Sequence, residues 1–160
     1  SMGAKKSQRD SDGTYGPPGN ADVEQAWRVT EALLETLMRE SRAGGAEFLL
    51  ALVSESRQAH PDAKIRQALA DQLGITDYFY YEDRLFGLAD DLGMNRVGLS
   101  RPIRRAAEEQ GACLHGFDNA QPCYGHWNEA GHALAGDLIA EAICDLAESA
   151  GGTAARSATP

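Results

Sequence analysis

The sequence predicts an α/β domain built on a parallel sheet, and three observations support this prediction. Apolar residues recur at helical spacing in several segments that end at glycine. A short, continuously apolar run, Phe48 to Val53, is typical of a strand buried on both faces of a parallel sheet. The resulting order is helix, strand, helix, helix, strand, helix, helix, which is typical of α/β architecture.

The N-terminal region leads from a polar segment into a long helix. Residues 1–21 are rich in Gly, Pro, Ser and Asp and begin with Ser1-Met2, so we expect a tag scar and flexible linker. Asn20 or Asp22 can then cap a helix that runs to about Ala43 and ends at Gly44-Gly45. Its predicted inner face comprises Trp27, Thr30, Leu33, Leu34, Leu37 and Met38.

Three shorter helices and a second strand are predicted in the middle of the chain. The first helix, Ala63 to about Leu73, is opened by His60-Pro61-Asp62 and has Ile65, Leu69 and Leu73 at helical spacing. The second helix has a buried apolar stripe and ends at Gly93. The candidate second strand, Asn95 to Leu99, follows it. The third helix starts at Arg101-Pro102 and ends at Gln110-Gly111. The buried residues of these last two helices are predicted to be Leu85, Leu88, Ala89, Leu92, Ile103, Ala106 and Ala107.

Composition restricts the possible partners. The chain has 160 residues with 42% apolar content, which suits one domain with a modest core, 22–149, followed by a disordered tail, 150–160. A net charge of -9 argues against nucleic acid or an anionic membrane surface as partner. No apolar run approaches the roughly 20 residues that a membrane span needs.

The stretch from Tyr124 to Leu146 carries the strongest functional signal. His126 and Trp127 are predicted to lie in a turn, and Asn128 is well placed as the N-cap of the last helix. Gly131 would let the first turn of this helix approach a neighbouring element closely. The apolar face of the helix comprises Leu134, Leu138, Ile139, Ala142, Ile143 and Leu146.

This stretch resembles the last conserved block of the SGNH or GDSL hydrolases. The pattern is formed by His126, Asn128, Gly131, His132, Ala135 and Ile139. The resemblance implies a flavodoxin-like three-layer α/β/α sandwich with a parallel sheet, present here in part. It also implies an esterase or acylhydrolase that acts on a small-molecule ester, with His126 as the general base of a Ser-His-Asp triad.

Two elements of that family's pattern are absent. No Gly-Asp-Ser turn follows an apolar first strand, and the positions two and three before His126 are Tyr124 and Cys123 rather than aspartate. We therefore interpret the chain as the C-terminal portion of such a domain, in which Asp118 could serve as the triad acid. The loop serines Ser54, Ser56 and Ser100 are the candidate nucleophiles.

The resemblance also predicts other site residues and a partner surface. Trp127 and Asn128 are expected to contact substrate, and no cofactor or metal is expected. With few strands present, the sheet edge is expected to be covered by self-association or by a missing N-terminal half.

The cysteines allow three interpretations. Cys113 and Cys123 could form a disulfide, which would suit an extracytoplasmic compartment, or remain free thiols. They could instead bind zinc with His115 and His126. Cys144 is predicted to be an unpaired thiol.

Two other function classes are therefore alternatives to the hydrolase hypothesis. The first is a non-catalytic binding or assembly module on the same scaffold, for which the aromatic run Tyr78 to Tyr81 would be the candidate exposed surface. Packing at a helix start is the competing interpretation of this run. The second class is a small Cys/His zinc-binding domain.

Overall fold

The computed structural model describes residues 14–117, 119 and 121–157, with the side chains of residues 150–157 left out. The described chain contains five helices and two strands in the predicted order: α1 (Ala21–Ala43), β1 (Leu49–Leu52), α2 (Ala63–Leu73), α3 (Tyr80–Leu92), β2 (Asn95–Gly98), α4 (Ser100–Gln110) and α5 (Glu129–Ser157). The protein is thus mixed α/β. Residues 1–13 of the expected scar and linker, 1–21, and the end of the expected tail, 158–160, lie outside the described residues, while α5 continues beyond the predicted boundary at residue 149.

The two strands form a parallel pair. Leu49 is in register with Asn95 and Leu52 with Gly98. The Leu99 N–H donates to the Leu52 carbonyl at 2.9 Å, which extends the pairing beyond the strand. Among the described residues, no third strand pairs with the other edge of β1.

The prediction that β1 is buried on both faces is wrong. Leu50 and Leu52 are buried in a cluster with residues of α1 and α3. Ala51 and Val53 point the other way and are exposed, Val53 by 57%. On the face of the sheet to which Ala51 and Val53 point, only β2 is covered: Val97 packs against a cluster formed largely by α4 and α5.

Of the two candidate caps of α1, Asn20 and Asp22, the structure has Asn20, but two predicted helix faces are not confirmed. Asn20 accepts from the Val23 N–H at 3.0 Å, and Asp62 accepts from the Lys64 N–H at 2.7 Å. On α1, Met38 is buried whereas Leu33 and Leu37 are 58% and 53% exposed. On α2, Ile65 is exposed and the buried residues are Arg66 and Ala70.

The orientation of α2 follows from the aromatic run. Tyr78 is buried, meets the Tyr15 ring edge-on at 5.6 Å, and donates its hydroxyl to the Arg66 carbonyl at 2.9 Å. Ala70 packs in the same cluster. The run is therefore packing at a helix start and does not provide the exposed surface that the binding-module hypothesis assigned to it.

The described residues include no helix that combines the length and the apolar character needed to cross a membrane.

Candidate functional site

A cleft of about 740 Å³ lies at the carboxyl end of β1. One wall consists of residues 53–57, which follow the strand. The other contains Phe117, residues 124–127 and His132. Ligands of open α/β sheets collect at the carboxyl ends of the strands, and a cleft of this size is typical of a small-molecule site.

The loop that carries His126 is held by several backbone contacts. Residues His115 and Trp127 form an isolated antiparallel bridge. The Gly116 N–H donates to the His126 carbonyl at 2.9 Å, and the Asn128 N–H donates to the Leu114 carbonyl at 3.1 Å. These contacts tie the His126 backbone to the segment that follows α4.

A disulfide between Cys113 and Cys123 closes the segment that leads to His126. Gly116 has φ +88, and a Cβ there would lie 2.9 Å from the Cys123 nitrogen, so the loop needs glycine at this position. Among the three interpretations of the cysteines, the disulfide is the one found. Both thiols are used in it, and the described residues contain no group of three or more potential metal ligands. Cys144 is free and exposed, as predicted.

His126 lines the cleft with an exposed side chain. Its backbone is anchored, whereas its imidazole makes no hydrogen bond or ion pair with the part of the chain that is described. Asp118, the predicted acid partner, lies outside the described residues. The pairing of these two side chains therefore stays a prediction.

A histidine that the sequence did not single out as catalytic lies within hydrogen-bond distance of a cleft serine. The Ser54 Oγ is 3.3 Å from His115 Nε2 and accepts a hydrogen bond of 2.8 Å from Trp127 Nε1. His115 is 3% exposed, and its Nδ1 has no partner among the described residues. Burial lowers the pKa of His115, opposed by the contact with the Ser54 carbonyl, so the ring is neutral near pH 7.

The sequence offered little sign of this arrangement. No local pattern links His115 to Ser54, 61 residues earlier. The sequence therefore indicates only that His115 is a possible zinc ligand near Cys113. Fold topology brings the end of β1 and the loop after α4 together.

The three candidate serines differ in position. Ser54 and Ser56 line the cleft and are nearly buried. Ser100 is fully buried, lies within 3.0 Å of the Tyr81 hydroxyl, and is not among the cleft residues. The structure therefore narrows the candidates for a cleft nucleophile to Ser54 and Ser56.

The two residues predicted to contact substrate are placed differently. Trp127 lines the cleft and meets the ring of His132 edge-on at 5.6 Å. Asn128 does not line it. Its Oδ1 accepts from the Gly131 N–H at 3.0 Å, which confirms the N-cap, and its Nδ2 donates to the Cys113 carbonyl at 2.7 Å.

The predicted close approach of the last helix is also confirmed. A Cβ on Gly131 would overlap the Leu114 carbonyl oxygen, and Ala135 is buried in the cluster that contains Leu114. The first turn of α5 thus packs directly on the loop that carries His115.

Comparisons of the chain with protein-family models, with curated proteins and with solved structures found no match.

Proposed function

We propose that this chain is an SGNH-like acyl hydrolase domain in which a cleft serine attacks a small-molecule ester and His126 is the general base. The proposal is based on the difference between the backbone of His126, which is held in place, and its side chain, which is not. Its backbone is anchored by the Gly116 N–H and the neighbouring bridge, while its exposed imidazole borders a cleft that also contains Ser54 and Ser56. The backbone contacts hold His126 at the cleft, and the hydrogen bonds of a general base often form only in the complex with substrate.

The proposed reaction proceeds through an acyl-enzyme. The serine Oγ attacks the ester carbonyl as the histidine accepts the hydroxyl proton, and the histidine then passes this proton to the departing alcohol. Water releases the acyl group in a second step of the same kind. The product is a carboxylic acid, and the serine is regenerated.

Ser54 is the nucleophile that we favour over Ser56. Its Oγ accepts a hydrogen bond from the Trp127 N–H, so the hydroxyl proton is available for donation to a histidine. Its position next to His115 raises the alternative that His115, rather than His126, accepts the proton. The lowered pKa keeps His115 unprotonated near neutral pH, as a base must be.

Labelling with a fluorophosphonate, followed by peptide mapping, tests the proposal. We expect one adduct on a cleft serine, together with hydrolysis of p-nitrophenyl butyrate. Both should be reduced at least about 100-fold in His126→Ala. His132→Ala is the matched control, because His132 borders the same cleft and has no proposed chemical role.

The outcomes separate the hypotheses. Loss of labelling in His115→Gln but not in His126→Ala would assign the base to His115. Absence of any adduct and of hydrolysis would contradict the hydrolase and favour the non-catalytic binding module, for which the cleft itself would be the binding surface.

We also propose that the fold is part of a flavodoxin-like α/β/α sandwich. Its support is the distribution of helices about the sheet. Residues of α1 and α3 pack with Leu50 and Leu52 on one face, whereas residues of α4 and α5 pack with Val97 on the other.

Self-association through the free edge of β1 is a further part of the proposal. No described strand pairs with that edge. Sedimentation velocity should show a dimer that Ala51→Pro disrupts, since proline removes the edge N–H. A monomer at all concentrations would contradict it.

A further inference from the structure

We infer that the cleft binds the apolar acyl chain of an uncharged ester, with Val53, Phe117 and Tyr124 as its specificity-determining residues. This inference rests on the proposed hydrolase function and names its substrate class. The three side chains are 57%, 49% and 54% exposed, and all three line the cleft.

The concentration of apolar side chains in one concave site carries the argument. Isolated exposed apolar residues are common on protein surfaces. Here, however, three of the eight large apolar side chains found exposed among the described residues border a single cleft. An apolar lining with a few polar groups is typical of a small-molecule site.

The apolar residues also lie beside the groups proposed for chemistry. Val53 directly precedes Ser54, and Tyr124 lies two residues before His126. Phe117 lies inside the loop that the Cys113–Cys123 disulfide closes, and Tyr124 directly follows Cys123, so the disulfide restrains this part of the lining. An acyl group on the serine would place its chain against these side chains.

The charges of the cleft favour an uncharged substrate. Besides its histidines, the described part of the lining contains one acidic residue, Glu55, and one basic residue, Arg57, and these formal charges cancel. The Glu55 carboxylate is further engaged by the Tyr15 hydroxyl. The described lining therefore offers no cluster of like charges for a phosphate or a carboxylate.

A chain-length series tests the inference. We expect kcat/KM to rise from p-nitrophenyl acetate through butyrate to octanoate, by at most about fourfold per CH₂, the factor that corresponds to full burial of each group. Phe117→Ser and Val53→Ser should flatten this rise. Ile65→Ser is the matched control, because Ile65 is also an exposed apolar residue, at 43%, and lies on α2 outside the cleft.

A binding measurement separates this inference from the hydrolase proposal. Octanamide keeps the chain but lacks the ester, and its binding can be followed by tryptophan fluorescence. We expect binding that Phe117→Ser weakens about tenfold and that Ile65→Ser leaves unchanged, with circular dichroism to verify that each variant is folded.

Each outcome bears on one proposal or the other. Hydrolysis without any chain-length dependence would overturn the inference and leave the hydrolase in place. Octanamide binding that depends on Phe117, without hydrolysis, would support the apolar cleft and contradict the hydrolase. Failure of octanamide to bind would overturn the inference.

Discussion

The Trp127 indole N–H donates a hydrogen bond of 2.8 Å to the Ser54 hydroxyl, 73 residues earlier in the chain. This contact joins the end of β1 to the loop that carries His126. It therefore connects the two walls of the cleft, and its removal should affect both stability and the geometry of the site.

Substitution of Ser54 measures the strength of that connection. Ser54→Ala leaves the Trp127 N–H without its acceptor, and we expect the free energy of unfolding to fall by about 1–3 kcal/mol. Urea titration followed by tryptophan fluorescence measures this change. Ser56→Ala is the control, since no hydrogen bond of its side chain to the described residues is found; an equal loss in both variants would contradict the role of the contact.

His115 should make stability depend on pH. Burial lowers its pKa in the folded protein below the unfolded value of about 6.5. Between these two values the unfolded chain binds more protons, so the free energy of unfolding falls as pH decreases below about 6.5, by at most about 1.4 kcal/mol per pH unit from this residue.

Urea titrations between pH 7.5 and 5 test this dependence. His115→Gln should remove that part of the slope, whereas His132→Gln, on an exposed side chain, should retain it. An unchanged slope in His115→Gln would show that other groups cause the pH dependence.

Two glycines of α5 provide a matched test of the packing around the site. A Cβ on Gly131 overlaps the Leu114 carbonyl oxygen and lies 3.1 Å from the Trp127 Cβ, whereas a Cβ on Gly136 meets nothing within 4 Å. We expect Gly131→Ala to destabilise the protein by about 1–3 kcal/mol, because backbone must move. Gly136→Ala should stabilise it by about 0.5–1 kcal/mol, and thermal unfolding would reveal any departure from these opposite signs.

The arginine beside Glu82 should contribute more to stability than a similarly stacked surface arginine. Arg101 contacts the Glu82 carboxylate at 2.7 Å and stacks over Phe79, and the Glu82 side chain is 1% exposed. Arg101→Met leaves this carboxylate buried without its cation, which we expect to cost roughly 2 kcal/mol. This is less than the 3–5 kcal/mol for a fully buried pair, because Arg101 itself is 43% exposed.

Arg96→Met is the control for that measurement. Arg96 also stacks over a phenylalanine, Phe86, but its partner Asp90 is 63% exposed. We expect a loss below about 1 kcal/mol in chemical denaturation. Equal losses in the two variants would contradict the importance of Glu82 burial.

The disulfide should stabilise the loop that forms the second wall of the cleft. The bridged cysteines are 10 residues apart, and the chain-entropy model gives about 2.7 kcal/mol for a loop of this size. We expect Cys113→Ala combined with Cys123→Ala to lower the free energy of unfolding by up to this amount. Cys144→Ala, at an exposed free thiol, should change it by less than about 0.5 kcal/mol.

Local patterns were sufficient to predict the order of the elements and several of their ends. Asn20 and Asn128 cap helices as their positions indicated, and Gly93 ends α3. These predictions succeeded because capping and helix termination depend on residues within one turn of each other. The close packing at Gly131 was likewise visible in the sequence, although its partner was not.

Tertiary structure decided which faces are buried and which groups share the cleft. The apolar spacing of α2 predicted that Ile65 is buried, but the packing of Tyr78 turned Arg66 and Ala70 inward. The proximity of Ser54, His115 and Trp127 likewise arises from the parallel pairing of β1 and β2 and from the loop that the disulfide closes. Hydrophobic periodicity records which side of a segment is apolar, whereas contacts between segments 60 or more residues apart depend on how the whole chain packs.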